Sequence, residues 1–235
     1  MTKISLIIPC YNESKNLPLL IERFKVIASK ETSFEIVVVD NGSTDETSRV
    51  LEELTSNLPF ITRVKVDFNE GYGHGILAGL RVASGEILGW THADLQTDPV
   101  DVLRGFEFFL ESPRPELLFI KGRRYGRPIT DVLFTIGMSI FEILLLRKLM
   151  WDINAQPTLF HKDFFMKWES PPDDFSLDLY AYFMAKKTKL IIKRFPVLFA
   201  KRAYGVSNWN VSFLSKYRFI KRTLVYSLDL YRKIN

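Results

Sequence analysis

The sequence predicts an α/β fold: a mostly parallel sheet flanked by helices, with a basic amphipathic helix at the C-terminal end. Three observations carry the prediction. Short β-branched runs alternate with stretches of helical periodicity through the first hundred residues, the pattern of right-handed βαβ units. The runs around Ile4–Ile8, Phe34–Val39 and Glu86–Trp90 are nearly continuous in apolar residues, as strands buried on both faces are. Two of them end in a polar turn, Asp40-Asn41-Gly42-Ser43 and His92-Ala93-Asp94-Leu95-Gln96, at the edge where open α/β sheets bind ligands.

The elements follow in order. Ile4 to Ile8 is the first strand, and Leu17, Leu20, Ile21, Phe24 and Ile27 mark a helix over 16–28. Phe34 to Val39 is the second strand. Ser43 and Glu46 have the spacing of a capping box for a helix over 45–55. Ile61 to Val66 is the third strand, and a glycine-rich turn from Glu70 leads into a helix ending near Ser84. The fourth strand, Glu86 to Trp90, precedes a helix over 100–111. A short strand over 116–121, a long apolar helix over 131–150, a helix over 174–187 and a strand over 190–196 follow. A basic amphipathic helix over 211–233 ends the pattern.

A chain of 235 residues with 47% hydrophobic and 25% charged residues is an ordinary globular composition and excludes disorder over most of its length. Without a linker or repeat, one domain is expected: residues 1–210, with the helix of 211–235 as part of it. The single cysteine, Cys10, excludes an internal disulfide and a Cys-rich zinc site. The first residues enter a strand at once, so no signal peptide is expected. The longest apolar run, Val132 to Leu146, contains Glu142 and falls short of the roughly 20 residues that span a bilayer, so no transmembrane helix is expected.

The net charge of +5 is unevenly placed. From Lys186 onward there are thirteen Lys or Arg and one acid, Asp229. Trp209, Phe213, Tyr217 and Phe219 interleave with Lys216, Arg218, Lys221 and Arg222, the composition of a helix lying on an anionic membrane surface. RNA binding would explain this end but none of the acidic turns, so no nucleic acid is expected as a partner.

The turn at 92–96 carries the chemistry. A carboxylate at a strand end can hold a hard divalent cation against phosphate oxygens. Asp94 is the carboxylate of this turn, with His92 and Gln96 two residues to either side. Arg123, Arg124 and Arg127 cluster beyond the strand ending near Lys121, and guanidinium forks match phosphate oxygens bidentately.

Several segments resemble family 2 glycosyltransferases of the GT-A, Rossmann-like fold. They are Ile8-Pro9-Cys10-Tyr11-Asn12-Glu13, Val38-Val39-Asp40-Asn41-Gly42-Ser43, Asn69-Glu70-Gly71-Tyr72-Gly73 and Ala93-Asp94-Leu95-Gln96. With Arg123-Arg124-Tyr125 and Arg202-Ala203-Tyr204-Gly205-Val206-Ser207, the chain looks most like dolichol- and polyprenyl-phosphate sugar synthases. The resemblance implies that Pro9, Tyr11, Glu13, Asp40, Asn41, Gly71, Gly73 and Ala93 bind the nucleotide. It implies catalytic roles for Asp94, Arg124 and Arg202, and acceptor contacts from Arg123, Arg127, Gln156 and Ser207. The resemblance also makes 92–96 the metal turn, with Asp94 as the principal ligand and Gln96 assisting. Two positions depart from it: Asn41 stands where the family usually has an acid, and His92 replaces the first acid of the metal turn, where it either ligates, favouring Mn²⁺ over Mg²⁺, or stands behind the ligands.

What the resemblance implies is inverting transfer of a sugar from a UDP- or GDP-sugar to a lipid phosphate, with Mn²⁺ or Mg²⁺ as cofactor. A cytoplasmic protein, peripherally bound to the inner face of the membrane, is the expected setting, and a homo-oligomer is left open. Two alternatives keep the fold: transfer to a saccharide hydroxyl in envelope polysaccharide assembly, and a catalytically weak nucleotide-binding homologue. A nicotinamide oxidoreductase is disfavoured because the glycines of 71–75 follow the third strand rather than the first.

Overall fold

A computed structural model describes residues 3–204 and the backbone of 213–234, with side chains from 220 to 233 in that last stretch. Seven strands form one sheet in the order β3-β2-β1-β4-β6-β5-β7. They are β1 (Ile4–Cys10), β2 (Phe34–Asn41), β3 (Ile61–Val66), β4 (Ile87–Trp90), β5 (Leu118–Tyr125), β6 (Thr158–His161) and β7 (Ile191–Leu198). The helices are α1 (Leu17–Lys30), α2 (Thr47–Thr55), α3 (Tyr72–Val82), α4 (Val102–Leu110), α5 (Ile129–Leu146), α6 (Lys162–Phe165), α7 (Leu177–Lys187) and α8 (Phe213–Ile234).

The expected parallel sheet holds for β1 to β4, with β1 between β2 and β4. The exception is β6, which the sequence reading missed. It runs antiparallel between β4 and β5, pairing Trp90 with Thr158 on one side and Thr158 with Lys121 on the other. β7 pairs parallel with β5. Six strands thus end on one edge, and β6 begins there.

Both faces of the sheet are covered, which is why its central strands carry few polar side chains. Ile4, Leu6 and Ile8 face a core closed by Leu20, Phe24 and Phe106. Ile7, Val37 and Val39 face the opposite core with Leu77, Leu80 and Phe183. Each fully buried side chain of this size contributes about 1.5–3 kcal/mol, so the sheet edge rests on a rigid base.

Several expectations are corrected. Ser43 and Glu46 form no capping box; α2 starts at Thr47 without a side-chain cap, because Asp45 Oδ1 accepts from the Thr47 amide at 2.9 Å instead. β5 continues to Tyr125, so Arg123 and Arg124 lie on the strand, not beyond it. α5 spans 18 residues, about 27 Å at helical rise. It is long and apolar enough to cross a membrane by length and composition, contrary to the expectation from the shorter run. Its C-terminus is set by Arg147 in a left-handed conformation, φ 52°.

Candidate active site at the strand ends

The edge where β1, β2, β4, β5 and β7 end gathers most of the expected residues. After β1, Pro9 is half-buried and Tyr11 is exposed. Glu13 is anchored by its amide donating to Thr47 Oγ1 at 2.9 Å. Burial raises the Glu13 carboxyl, a bond from Asn16 opposing, and it feels the charges of Asp94 and Arg202. Glu13 therefore lies within electrostatic reach of the turn after β4.

Asp40 is buried at the end of β2. Its Oδ1 accepts from the Ser43 amide at 3.0 Å and its Oδ2 from the Ser48 hydroxyl. Both oxygens thus brace the turn into α2. Asn41 Nδ2 donates to the Gly71 carbonyl at 2.8 Å, so the amide at the family's acidic position ties β2 to the glycine loop. Gly71 and Gly73 do permit a close approach, but to the chain itself. A Cβ at Gly71 would meet the Asp173 carbonyl at 2.4 Å, and one at Gly73 the Pro172 carbonyl at 2.6 Å. Ala93 packs into the core with Ile4 and Val102, leaving its backbone alone near the site.

Asp94 is buried, with 5% of its surface exposed. Its Oδ1 accepts from the Gln96 amide at 3.1 Å, and its Oδ2 lies 2.8 Å from Arg202 Nη2. The Gln96 side chain reaches across to the late loop: Nε2 approaches the Ala200 carbonyl and Oε1 faces Arg202 Nε, each at 3.4 Å. Among the described residues no three His, Cys, Asp or Glu side chains gather as a metal group. His92, Asp94 and Gln96 are thus not a preformed cage. One strand-end carboxylate suits a cation that completes its shell with ligand phosphates, as Mg²⁺ commonly does.

His92 is the terminal ring of a stack. Its ring lies 5.3 Å from Tyr72, which stacks on Phe175 at 4.7 Å. Burial lowers the His92 pKa; Asp94 and Asp178 pull it up, while Arg124 and Arg202 push it down. The imidazole therefore sits within electrostatic reach of both arginine groups.

The second arginine group centres on Asp152, which the sequence reading did not single out. Arg124 Nε donates to Asp152 Oδ1 at 2.9 Å, and its backbone amide donates to Oδ2 at 3.0 Å. Arg127 and Arg194 approach the same carboxylate at 3.6 and 3.7 Å. Burial acts against ionisation of Asp152, but Arg124 and then Arg127 hold its pKa below the ordinary value. One carboxylate thus faces three guanidinium groups, leaving a net positive charge. The Arg127 Nε is buried without a partner. Arg123 is not part of this group: strand alternation turns it outward, and it is exposed. Gln156 is buried at 1% exposure, not open to an acceptor, and Ser207 lies outside the described residues.

The arrangement resembles known proteins at two levels. A family model described as glycosyl transferase family 2 matches residues 5–149. Undecaprenyl-phosphate 4-deoxy-4-formamido-L-arabinose transferase from Proteus mirabilis is 36% identical over 107 residues, 44% of this chain and 32% of that protein. Its counterpart in Yersinia enterocolitica is 37% identical over 105 residues, 43% of this chain and 32% of that protein. The aligned stretch thus spans about a third of these relatives.

In fold, the chain resembles a mannosyltransferase from Pyrobaculum calidifontis solved with GDP-Man and Mn²⁺. The TM-score is 0.68 at 19% identity, covering 97% of this chain and 64% of that one. Glucosyl-3-phosphoglycerate synthase from Mycobacterium tuberculosis, solved with Mn²⁺, UDP and glucosyl-3-phosphoglycerate, gives a TM-score of 0.71. Identity is 15%, with 98% of this chain and 80% of that one covered. The GT-A arrangement expected from the sequence is the fold these proteins share.

Proposed function

The chain belongs to glycosyl transferase family 2, and from that premise we propose that it transfers a sugar from a nucleotide-diphosphate sugar to a polyprenyl phosphate. The observation that carries this reading is a pair of arginine–carboxylate groups at the strand-end edge, which serve as two anion stations, with His92 within electrostatic reach of both. Asp94 with Arg202 forms one, and Arg124 with Arg127 around Asp152 forms the other.

In the proposed reaction the lipid phosphate oxygen attacks the anomeric carbon as the bond to the nucleoside diphosphate breaks, inverting the configuration. Asp94 would hold a divalent cation, which would neutralise charge on the departing diphosphate. Arg202, released from Asp94, is placed to take the diphosphate's remaining charge. Arg124 and Arg127 would orient the attacking phosphate. A phosphate is already ionised at neutral pH, so the step needs no general base. Glu13, Tyr11 and Asp40 line the side where the nucleoside would lie.

The acceptor side also suits a lipid. A small groove beside α5 is lined by Arg124, Phe134, Met138, Ile153 and Leu179 together with Glu142 and other polar side chains, placing a cation beside a partly apolar surface. Outside this groove α5 exposes Ile129, Leu133 and Leu144 at 75%, 62% and 74%. We infer peripheral attachment to the inner face of an anionic membrane, with α5 lying in the interface and the basic α8 beside it.

The test is calorimetric titration with UDP, GDP and CDP, each with Mn²⁺, Mg²⁺ or chelator. Transfer assays then follow, using undecaprenyl phosphate and a soluble saccharide as acceptors. Metal-dependent binding of one diphosphate and transfer to the lipid phosphate are expected. Transfer to the saccharide alone would replace the acceptor assignment, and binding without any turnover would favour a nucleotide-binding homologue.

A further inference from the structure

Beneath His92 lies a buried polar chain that the reaction as described does not use. Lys121 and Asp178 form an ion pair at 3.4 Å with side-chain exposures of 0% and 1%. Lys121 Nζ also donates to Thr158 Oγ1 at 2.8 Å. Gln156 Nε2 donates to Asp178 Oδ1 at 2.7 Å and reaches the Tyr72 hydroxyl at 3.4 Å. Tyr72 in turn carries His92 on its ring. The chain is only half satisfied: Asp178 Oδ2 and Gln156 Oε1 are buried without partners among the described residues.

Stability does not explain this arrangement. A buried ion pair is commonly no better than two well-packed apolar side chains, and an unpaired buried carboxylate oxygen is a cost. Lys121 shows the strain, since burial brings its pKa down to about 8 against the pull of Asp178. The chain joins two strands and two helices, β5, β6, α3 and α7, to the half-buried His92.

The position of that end is informative. In a single displacement the attacking and leaving groups lie on opposite sides of the anomeric carbon, so the sugar must lie between the two anion stations. His92 is half-buried two residues before Asp94, and its ring contact with Tyr72 and the bond from Gln156 to Tyr72 tie it to the loop that also carries Asp152, so it stands between the turn of one station and the loop of the other. We propose that the donor's sugar rests on His92, and that Asp178 and Gln156 are positioning residues that hold this ring in place through Tyr72. This rests on the glycosyltransferase reading above. It assigns His92 to sugar recognition rather than to the metal, and the Lys121–Asp178 pair to specificity rather than to the core.

The experiment compares affinity for a nucleoside diphosphate with affinity for its sugar ester, using UDP against UDP-glucose and GDP against GDP-mannose with Mn²⁺. The double variant Lys121→Met/Asp178→Leu removes both charges together and deletes the acceptor for Gln156. It should keep diphosphate affinity within about twofold while the sugar ester loses about tenfold or more. Lys121→Met/Asp178→Asn restores an oxygen that accepts from Gln156 Nε2 and should recover the sugar ester's affinity. Gln156→Leu leaves the ion pair intact and should reproduce the loss even if the first double variant fails to fold. An unchanged ratio of the two affinities in Gln156→Leu overturns the proposal while leaving the enzyme reading standing. No diphosphate binding by the unaltered protein overturns that reading and this proposal with it.

Discussion

Arg202 Nη2 lies 2.8 Å from Asp94 Oδ2, tying the loop after β7 to the turn that leaves β4. Asp94 is thereby neutralised by an internal cation, which a metal and diphosphate bound as proposed would have to displace. Asp94→Asn keeps the shape and removes the charge. Turnover should fall by about two to three orders of magnitude, the scale of a lost electrostatic contact in a transition state. Mn²⁺-dependent diphosphate binding should fall with it, and far-ultraviolet dichroism should not change. Turnover left at the original level would remove the central assignment.

Asp152 should matter more to stability than its position in a loop suggests. Asp152→Asn leaves Arg124, Arg127 and Arg194 facing one another around a neutral amide, and unpairing buried charge costs about 3–5 kcal/mol. Urea denaturation at pH 7 measures this loss. The pH sign follows from the lowered pKa of Asp152: its contribution is present above the ordinary aspartate value of about 4 and is lost as pH falls through the lower folded value. The variant should therefore lose the unaltered protein's sensitivity below about pH 4.

Glu142 predicts the opposite dependence. Burial pushes its carboxyl up to about 7, against a bond from the Ser227 hydroxyl at 2.6 Å. The folded state prefers the protonated acid. That stabilisation is complete below pH 4.5, the ordinary value, and is lost as pH rises through about 7. The contribution is on the order of 2 kcal/mol. Glu142→Gln should raise the melting temperature at pH 8 by about 5 °C and leave it unchanged near pH 4.

Asn41→Asp installs the acid usual in the family, yet should weaken this protein. The amide that now donates to the Gly71 carbonyl would become a buried carboxylate facing that oxygen. A loss of about 1–3 kcal/mol is expected, read by thermal melting, with no gain in diphosphate affinity.

The exposed face of α5 can be tested apart from the active site. Leu133→Glu with Leu144→Glu should abolish binding to vesicles containing anionic lipid while leaving the melting temperature within about 2 °C. Binding of the unaltered protein should weaken as salt rises, because the basic end acts within a Debye length of about 10 Å at 0.1 M. Salt-independent binding would assign the attachment to α5 alone.

Much of the frame was legible because buried parallel strands announce themselves: Ile4–Ile8 and Phe34–Val39 are apolar on both faces. β6 was not, since four residues from Thr158 to His161 are too few to show a period. Asp94, Arg124 and Arg202 could be read from their motifs, but their partners could not. Nothing local marks Asp152 as the carboxylate shared by three arginines. Lys121 and Asp178 stand 57 positions apart, and only the pairing of β5 with β6 makes that lysine a buried one. Gly71 and Gly73 are read in the sequence as nucleotide contacts, while their close approach to the backbone at 172–174 depends on the tertiary fold.

The antiparallel insertion of β6 has a mechanical consequence. It divides the sheet into a half that ends in Asp40 and Asp94 and a half that ends in Arg124, joined along the single ladder of β4 against β6. A substrate held at both Asp94 and Arg124 would span that seam like a stitch across two panels of cloth. Turnover would then cut the stitch, since the proposed products would separate into one molecule on each panel.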